Sequence, residues 1–412
     1  MDPIFALILI GLILFTGFAS RTIFKRTGIP DILFLISLGL IIGPVMNFID
    51  TEIMYSFIPF FAPIALAILL FEGGLSFNLD KMMKGASSAF IFTILMFLLS
   101  VGVIYLVSCY VFNWSQIHCL LLGTVLGGTT AASTLGLLKG VKMQGRSKTI
   151  LNLEATLTDA FTIIATIFVA EMFISGVIDI KNAAELITSS FTTAIVLGIA
   201  SGLGWVSLIK KIEGEHLASI LTFAFILILY GINQFVGGSG AISVFVFGFT
   251  MINRKAVKYF KKTVSSNLEG ELVKFLKEIA FLVRTFFFVY IGLLFNPSLL
   301  SVTTVLAVLA IIIGLVAVKR IASEFFFSGK EKIIAASMIP KGLAAAVLAN
   351  YPDIIGSPVA GFTEVVLLTI IFTNIVAAAG IYLHARSNGK KEEPNKANGG
   401  ALLAAIQNVK KK

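Results

Sequence analysis

The sequence predicts an all-α polytopic membrane protein of about thirteen spans. Three observations carry this. Apolar residues make up 57% of the 412-residue chain and charged residues only 13%, against about 25% charge in soluble domains. Apolar runs recur at near-regular spacing from residue 3 to residue 384. The basic residues fall almost wholly on alternate connections between those runs, as expected when each run crosses a bilayer.

Taken in order, the runs of roughly 20 residues that a span requires lie near 3–20, 30–49, 54–76, 86–112, 117–138, 149–174, 184–209, 216–236, 239–252, 271–295, 298–324, 330–350 and 358–384. The first, MDPIFALILIGLILF, has neither a basic leader nor a small-residue cleavage site, so it reads as a spanning helix. The ninth is short. The fifth and twelfth are interrupted at mid-depth, by Gly127-Gly128-Thr129-Thr130 and by Pro340-Lys341-Gly342. Residues 1–384 form the membrane domain, and 385–412 a polar cytoplasmic tail ending in the short segment ALLAAIQNVKKK. A basic amphipathic connector covers 254–277. Cys109 and Cys119 both fall in or beside apolar runs, and apolar packing is their expected role.

With the N-terminus outside, 25 of the 32 Lys and Arg residues lie on inside segments and one, Lys181, lies outside. That asymmetry places the C-terminus inside and makes the number of spans odd. The net charge of +10 then serves orientation and contact with anionic lipid, and nucleic acid is not an expected partner.

Ionisable groups within spans are costly, so they pair, line water or titrate. At 1.5 Å per residue, Asp159 and Lys341 lie about 15 Å from the inner face and Arg284 about 20 Å, with Glu154, Arg320 and Glu72 shallower. Glu154 and Arg320 match in depth, and a buried ion pair between them is the simplest reading. Asp159 is about 140° around the helix from Glu154, so it is free to face a cavity and hold either a proton or a small cation. Pro removes a backbone donor and Gly weakens a helix. Two helices broken at matching depth therefore point to a transport site between inverted repeats, formed by spans 1–6 and 8–13.

Phe71–Leu75 (FEGGL), the GGTTAAS break, Asn152–Phe161 (NLEATLTDAF), Arg284–Leu293 (RTFFFVYIGL) and Lys319-Arg320 together resemble the monovalent cation:proton antiporters, in particular the NhaP-like sodium–proton branch. The resemblance covers about residues 1–384. It implies a thirteen-helix inverted-repeat fold, usually a homodimer, exchanging Na+, or K+ or Li+, for H+. It makes Asp159 the ion-binding aspartate, Glu154 the ion-pair glutamate with Arg320 as partner, and Glu72 a glutamate near the ion site.

The sequence departs from the family pattern at four places. Thr158-Asp159 stands for Asn-Asp, and Ala155 for a serine. Thr129-Thr130-Ala131 stands for Thr-Asp-Pro, and Pro340-Lys341-Gly342 for Pro-Arg-Gly. The expected ligands are therefore Asp159, Glu72, Thr130, Thr158 and Thr129, with Lys341 and Arg284 as supporting charges.

Asp159 has no adjacent carboxylate, since Thr158 precedes it and Thr130 stands for the second aspartate, and one titrating group predicts electroneutral exchange in the cell membrane, with no cofactor and no enzymatic step. A K+/H+ antiporter of the same fold and a proton-coupled organic solute carrier are the alternatives. An intramembrane serine protease built on Gly237-Gly238-Ser239-Gly240 lacks a nearby histidine to act as base. No Walker A motif and no repeated filter favours a pump or a channel.

Overall fold

The computed structural model describes residues 3–46, 48, 51–77, 87–139, 141–174, 180–209, 217–253 and 266–387. The tail from 388 onward, the first half of the basic connector, and Lys81, Lys84, Lys210 and Lys211 lie outside the described residues. All regular structure among the described residues is helical. The helices are α1 (Pro3–Thr27), α2 (Asp31–Leu40), α3 (Thr51–Ser76), α4 (Ser87–Phe112), α5 (Gln116–Val125), α6 (Ala131–Leu138), α7 (Gly145–Ile174), α8 (Ile180–Ile209), α9 (Ala218–Phe235), α10 (Gly240–Ile252), α11 (Ser266–Leu293), α12 (Val302–Phe326), α13 (Glu331–Ser337), α14 (Leu343–Leu348), α15 (Tyr351–Ile354) and α16 (Phe362–Ser387). Seven of the described helices are long and apolar enough to cross a membrane.

Local chemistry sets the ends. α1 continues past its predicted end at residue 20, because Lys25 and Arg26 occupy its last turn, where cations complement the helix dipole. α2 passes into a π turn, Ile41–Val45, that carries Pro44. The fifth predicted span is split into α5 and α6, and the twelfth into α13 and α14, at the two predicted breaks.

The helices form two halves with the same neighbour relations. α1 packs on α2 as α9 packs on α10, and α3 packs on α10 as α11 packs on α2. α4 flanks α5 and α7 as α12 flanks α13 and α16. The α2–α11 contact is backbone against backbone. A methyl group on Gly39 would strike the Val289 carbonyl, and one on Gly292 would strike the Ile36 carbonyl. Small residues permit this approach, which is a main source of helix attraction in lipid.

The cysteines correct the sequence reading. Cys109 near the end of α4 and Cys119 in α5 are joined as a disulfide, with Cα atoms 5.5 Å apart. The turn at residues 113–115 folds α5 back along α4 and brings the two to one level. Ser239 is the N-cap of α10, its hydroxyl accepting from the Ile242 amide at 3.4 Å. The GGSG turn thus opens a helix.

Candidate functional site

The two breaks meet at the centre of the molecule. α5 ends at Val125 and α6 resumes at Ala131, while α13 ends at Ser337 and α14 resumes at Leu343. Unwound backbone in a membrane must find partners within the protein. Here each break supplies the other: the Thr130 amide donates to the Pro340 carbonyl at 2.8 Å. Gly342 lies so close to Thr130 that a Cβ there would overlap the threonine side chain.

Four exposed helix ends carry partial charges, and three of them are met by side chains of opposite sign. At the C-terminal end of α5, the Lys341 ammonium donates to the Gly128 carbonyl at 2.9 Å. At the C-terminal end of α13, the Lys319 ammonium donates to the Met338 carbonyl. At the N-terminal end of α6, the Asp159 carboxylate accepts from the Ala131 amide at 3.2 Å. The Thr130 hydroxyl also bonds Asp159.

Glu154 is paired with Lys319 at 2.6 Å, the two side chains being 3% and 1% exposed. This corrects the predicted Glu154–Arg320 pair. Successive helix residues differ by about 100°, so only one of Lys319 and Arg320 can face α7. Arg320 is 46% exposed and pairs with Glu324 on the outer surface of α12, where Lys332 joins it. The expected partner stands one position along the same helix from the observed one.

Among the expected ligands, Asp159, Glu72 and Thr130 line one cavity of about 950 Å³, together with Arg284. Arg284 acts electrostatically on both carboxylates, and its Nε has no hydrogen-bond partner among the described residues. Thr129 and Thr158 do not line this cavity. They face each other behind it, the Thr129 amide donating to the Thr158 hydroxyl at 2.9 Å. The Thr129 hydroxyl donates to Glu154 at 3.4 Å. Both threonines thus brace the break and are not placed as ion ligands. Lys341 is buried in the crossing and its ammonium bonds the Gly128 carbonyl of the first break.

Sequence reasoning missed Thr373 and Asn374 of α16. Thr373 accepts from the Lys341 amide at 3.1 Å. Asn374 donates to the Lys341 carbonyl at 2.8 Å and accepts from Ser133 of α6 at 2.8 Å, so it touches both interrupted helices. The available signal was a polar pair inside an otherwise apolar span.

One departure from the family pattern gains a physical meaning here. A proline at position 131 would have no amide to donate, whereas Ala131 supplies the N–H that holds Asp159.

The sodium/hydrogen exchanger transmembrane family matches residues 9–383. The chain belongs to this family. Among similar proteins, the K(+)/H(+) antiporter NhaP2 of Shewanella sp. (strain MR-4) is 25% identical over 381 residues, covering 88% of this chain and 63% of its own length. The K(+)/H(+) antiporter NhaP of Alkalimonas amylolytica is 22% identical over 369 residues, covering 85% and 61%. The chain thus spans less than two thirds of the length of these relatives. Among solved structures, the sodium proton antiporter MjNhaP1 from Methanocaldococcus jannaschii aligns with TM-score 0.75 at 20% identity, over 94% of this chain and 98% of that one. That likeness is one of fold.

Proposed function

We propose that this chain is a secondary active antiporter that exchanges a monovalent cation for a proton at Asp159. The observation that carries the reading is the placement of Asp159. Its carboxylate sits at the N-terminal end of a half-helix and lines a cavity with Glu72 and Thr130. A carboxylate there binds a proton or a hard cation, one at a time, with hydroxyl and carboxylate oxygens as further ligands. Arg284 in the same wall balances charge, and Glu154–Lys319 is architectural. No step forms or breaks a covalent bond, so the protein acts as a carrier and not as an enzyme.

The cavity is also lined by Arg21, Lys25, Arg26, Lys139 and Lys142, residues that the charge asymmetry assigns to the inside. We read the conformation as open to the cytoplasm, in a cell-membrane protein of thirteen spans with the N-terminus outside. On that reading the Cys109–Cys119 disulfide lies at the outer face, the compartment where disulfides persist. Six spans and a linker precede the second half, which inverts the repeat. The homodimer common in the family is the proposed assembly.

Na+ is the proposed substrate, with Li+ as a further candidate. A second reading, K+ for H+, is favoured by the names of the relatives that match 85–88% of this chain. Purified protein in liposomes with an internal pH dye tests both. Addition of Na+, K+ or Li+ is expected to alkalinise the lumen of acid-loaded vesicles, and the ion effective at the lowest concentration is the substrate. No alkalinisation with any of the three overturns the antiporter reading.

A further inference from the structure

Arg21, Lys25 and Arg26 come from the end of α1, Lys139 and Lys142 from the connection after α6, and Lys277 from α11. All six line the one cavity, and none forms an ion pair among the described residues. Lys277 acts electrostatically on Glu72, which leaves the other five without such a partner in Glu72 or Asp159. Glu72 and Asp159 share Arg284, and Asp31 is buried with its carboxylate accepting its own helix's Ile32 amide at 3.1 Å. Arg21 is held in place, its guanidinium lying 5.4 Å from the centre of the Phe281 ring. Orientation in a bilayer requires basic residues on the inside, but it does not require them to converge from three elements on one cavity without forming ion pairs among the described residues.

We propose that this cavity contains a binding site for a phosphate-bearing anion, held between α1 and the α6–α7 connection. The chemistry fits. Arg presents a planar fork that takes phosphate oxygens in pairs, and Lys supplies a compact point charge. The anion also resolves a difficulty in the transport reading, on which this part of the inference rests. A cation approaching Asp159 passes six positive charges, and concentrated like charge depletes it locally. A bound phosphate group offsets that field. The shared chemistry has two sources, the headgroup of an anionic phospholipid at the inner leaflet or a free phosphate compound in the cytoplasm.

Thermal unfolding of the full chain in neutral detergent tests binding independently of transport. The probes are inorganic phosphate against chloride at equal ionic strength, and phosphatidylglycerol against phosphatidylcholine in mixed micelles. A rise in Tm with phosphate, with phosphatidylglycerol or with both is expected, and the pattern identifies the source. The pair Arg21→Gln/Lys142→Gln is expected to raise the half-saturating concentration about tenfold or more, two charge-assisted contacts being lost. Arg21→Lys/Lys142→Arg, which keeps the charge, is expected to restore the shift. No shift with either probe in folded wild-type protein overturns the site. So does an equal shift in the neutralised pair. These results stand whether or not the liposomes exchange ions. In active liposomes, the neutralised pair is further expected to lose the dependence of cation KM on anionic lipid while keeping kcat.

Discussion

Lys319, and not its sequence neighbour Arg320, meets Glu154, at 2.6 Å in a site where both side chains are sealed from solvent. The lysine also caps the broken end of α13 through the Met338 carbonyl. One ammonium group thus ties α12 to α7 and to the crossing.

Removing one partner of a buried pair leaves the other charge uncompensated, at a cost of about 3–5 kcal/mol. Lys319→Met and Glu154→Gln are each expected to lower Tm well below that of the wild type. Arg320→Met, which disturbs only a surface network, is expected to leave Tm almost unchanged. The double variant Lys319→Met/Glu154→Gln is expected to recover part of the loss. Equal sensitivity of Lys319 and Arg320 in thermal unfolding contradicts the assignment.

Asp159→Asn is expected to abolish exchange in liposomes while the protein stays folded, since the amide cannot trade a proton for a cation. Glu72→Gln is expected to weaken the apparent cation affinity without abolishing transport. Dye-reported alkalinisation by Asp159→Asn at the wild-type rate removes Asp159 from the mechanism.

At position 131, proline is tolerable in the fold. It would occupy the first position of α6, where the missing amide breaks no helical bond, and Thr130 already has the extended conformation that precedes proline, with φ −79° and ψ 132°. Ala131→Pro removes the donor that orients Asp159. We expect an unchanged Tm and an apparent cation KM higher by about tenfold, the value of a hydrogen bond to a charged group. An unchanged KM shows that the amide does not position the carboxylate.

Gly342→Ala is expected to damage both folding yield and transport, because a Cβ has no room against Thr130. Gly11→Ala is the matched control. It lies in a helix with open space around the position, where alanine raises helix propensity. Similar expression and Tm for the two variants speaks against the close contact of the breaks.

Exchange is expected to be electroneutral, as one exchanging carboxylate implies. Lys341, the other candidate carrier, is buried, donates to the Gly128 carbonyl and does not line the cavity. A potassium-diffusion potential, inside negative, is expected to leave Na+-driven pH change unaltered. Moving net charge through 100 mV is worth about 2.3 kcal/mol, so voltage sensitivity is readily seen and implicates Lys341.

The fold was legible because apolar run length and the charge of the connections are one-dimensional properties. The breaks were legible because Gly127-Gly128 and Pro340-Lys341-Gly342 oppose helix locally. Asp159 and Glu72 could be placed by depth. What depth cannot supply is azimuth between helices whose rotation is unknown. Depth alone therefore points to Arg320 where Lys319 makes the pair, and to Thr158 and Thr129 as ligands although they turn to each other. Asn374 was hidden for a related reason, since a polar residue in an apolar span declares itself only once its partners are known. The pairing of Cys109 with Cys119 depended on the turn between α4 and α5.

The bond from the Thr130 amide to the Pro340 carbonyl has a mechanical consequence. It joins two segments more than 200 residues apart at the points where each is weakest. With Gly342 seated on Thr130 and Asn374 spanning both sides, each break is held by the other. A substitution at either break is then inherited by the other, and the two halves of the molecule are constrained to vary as a single part.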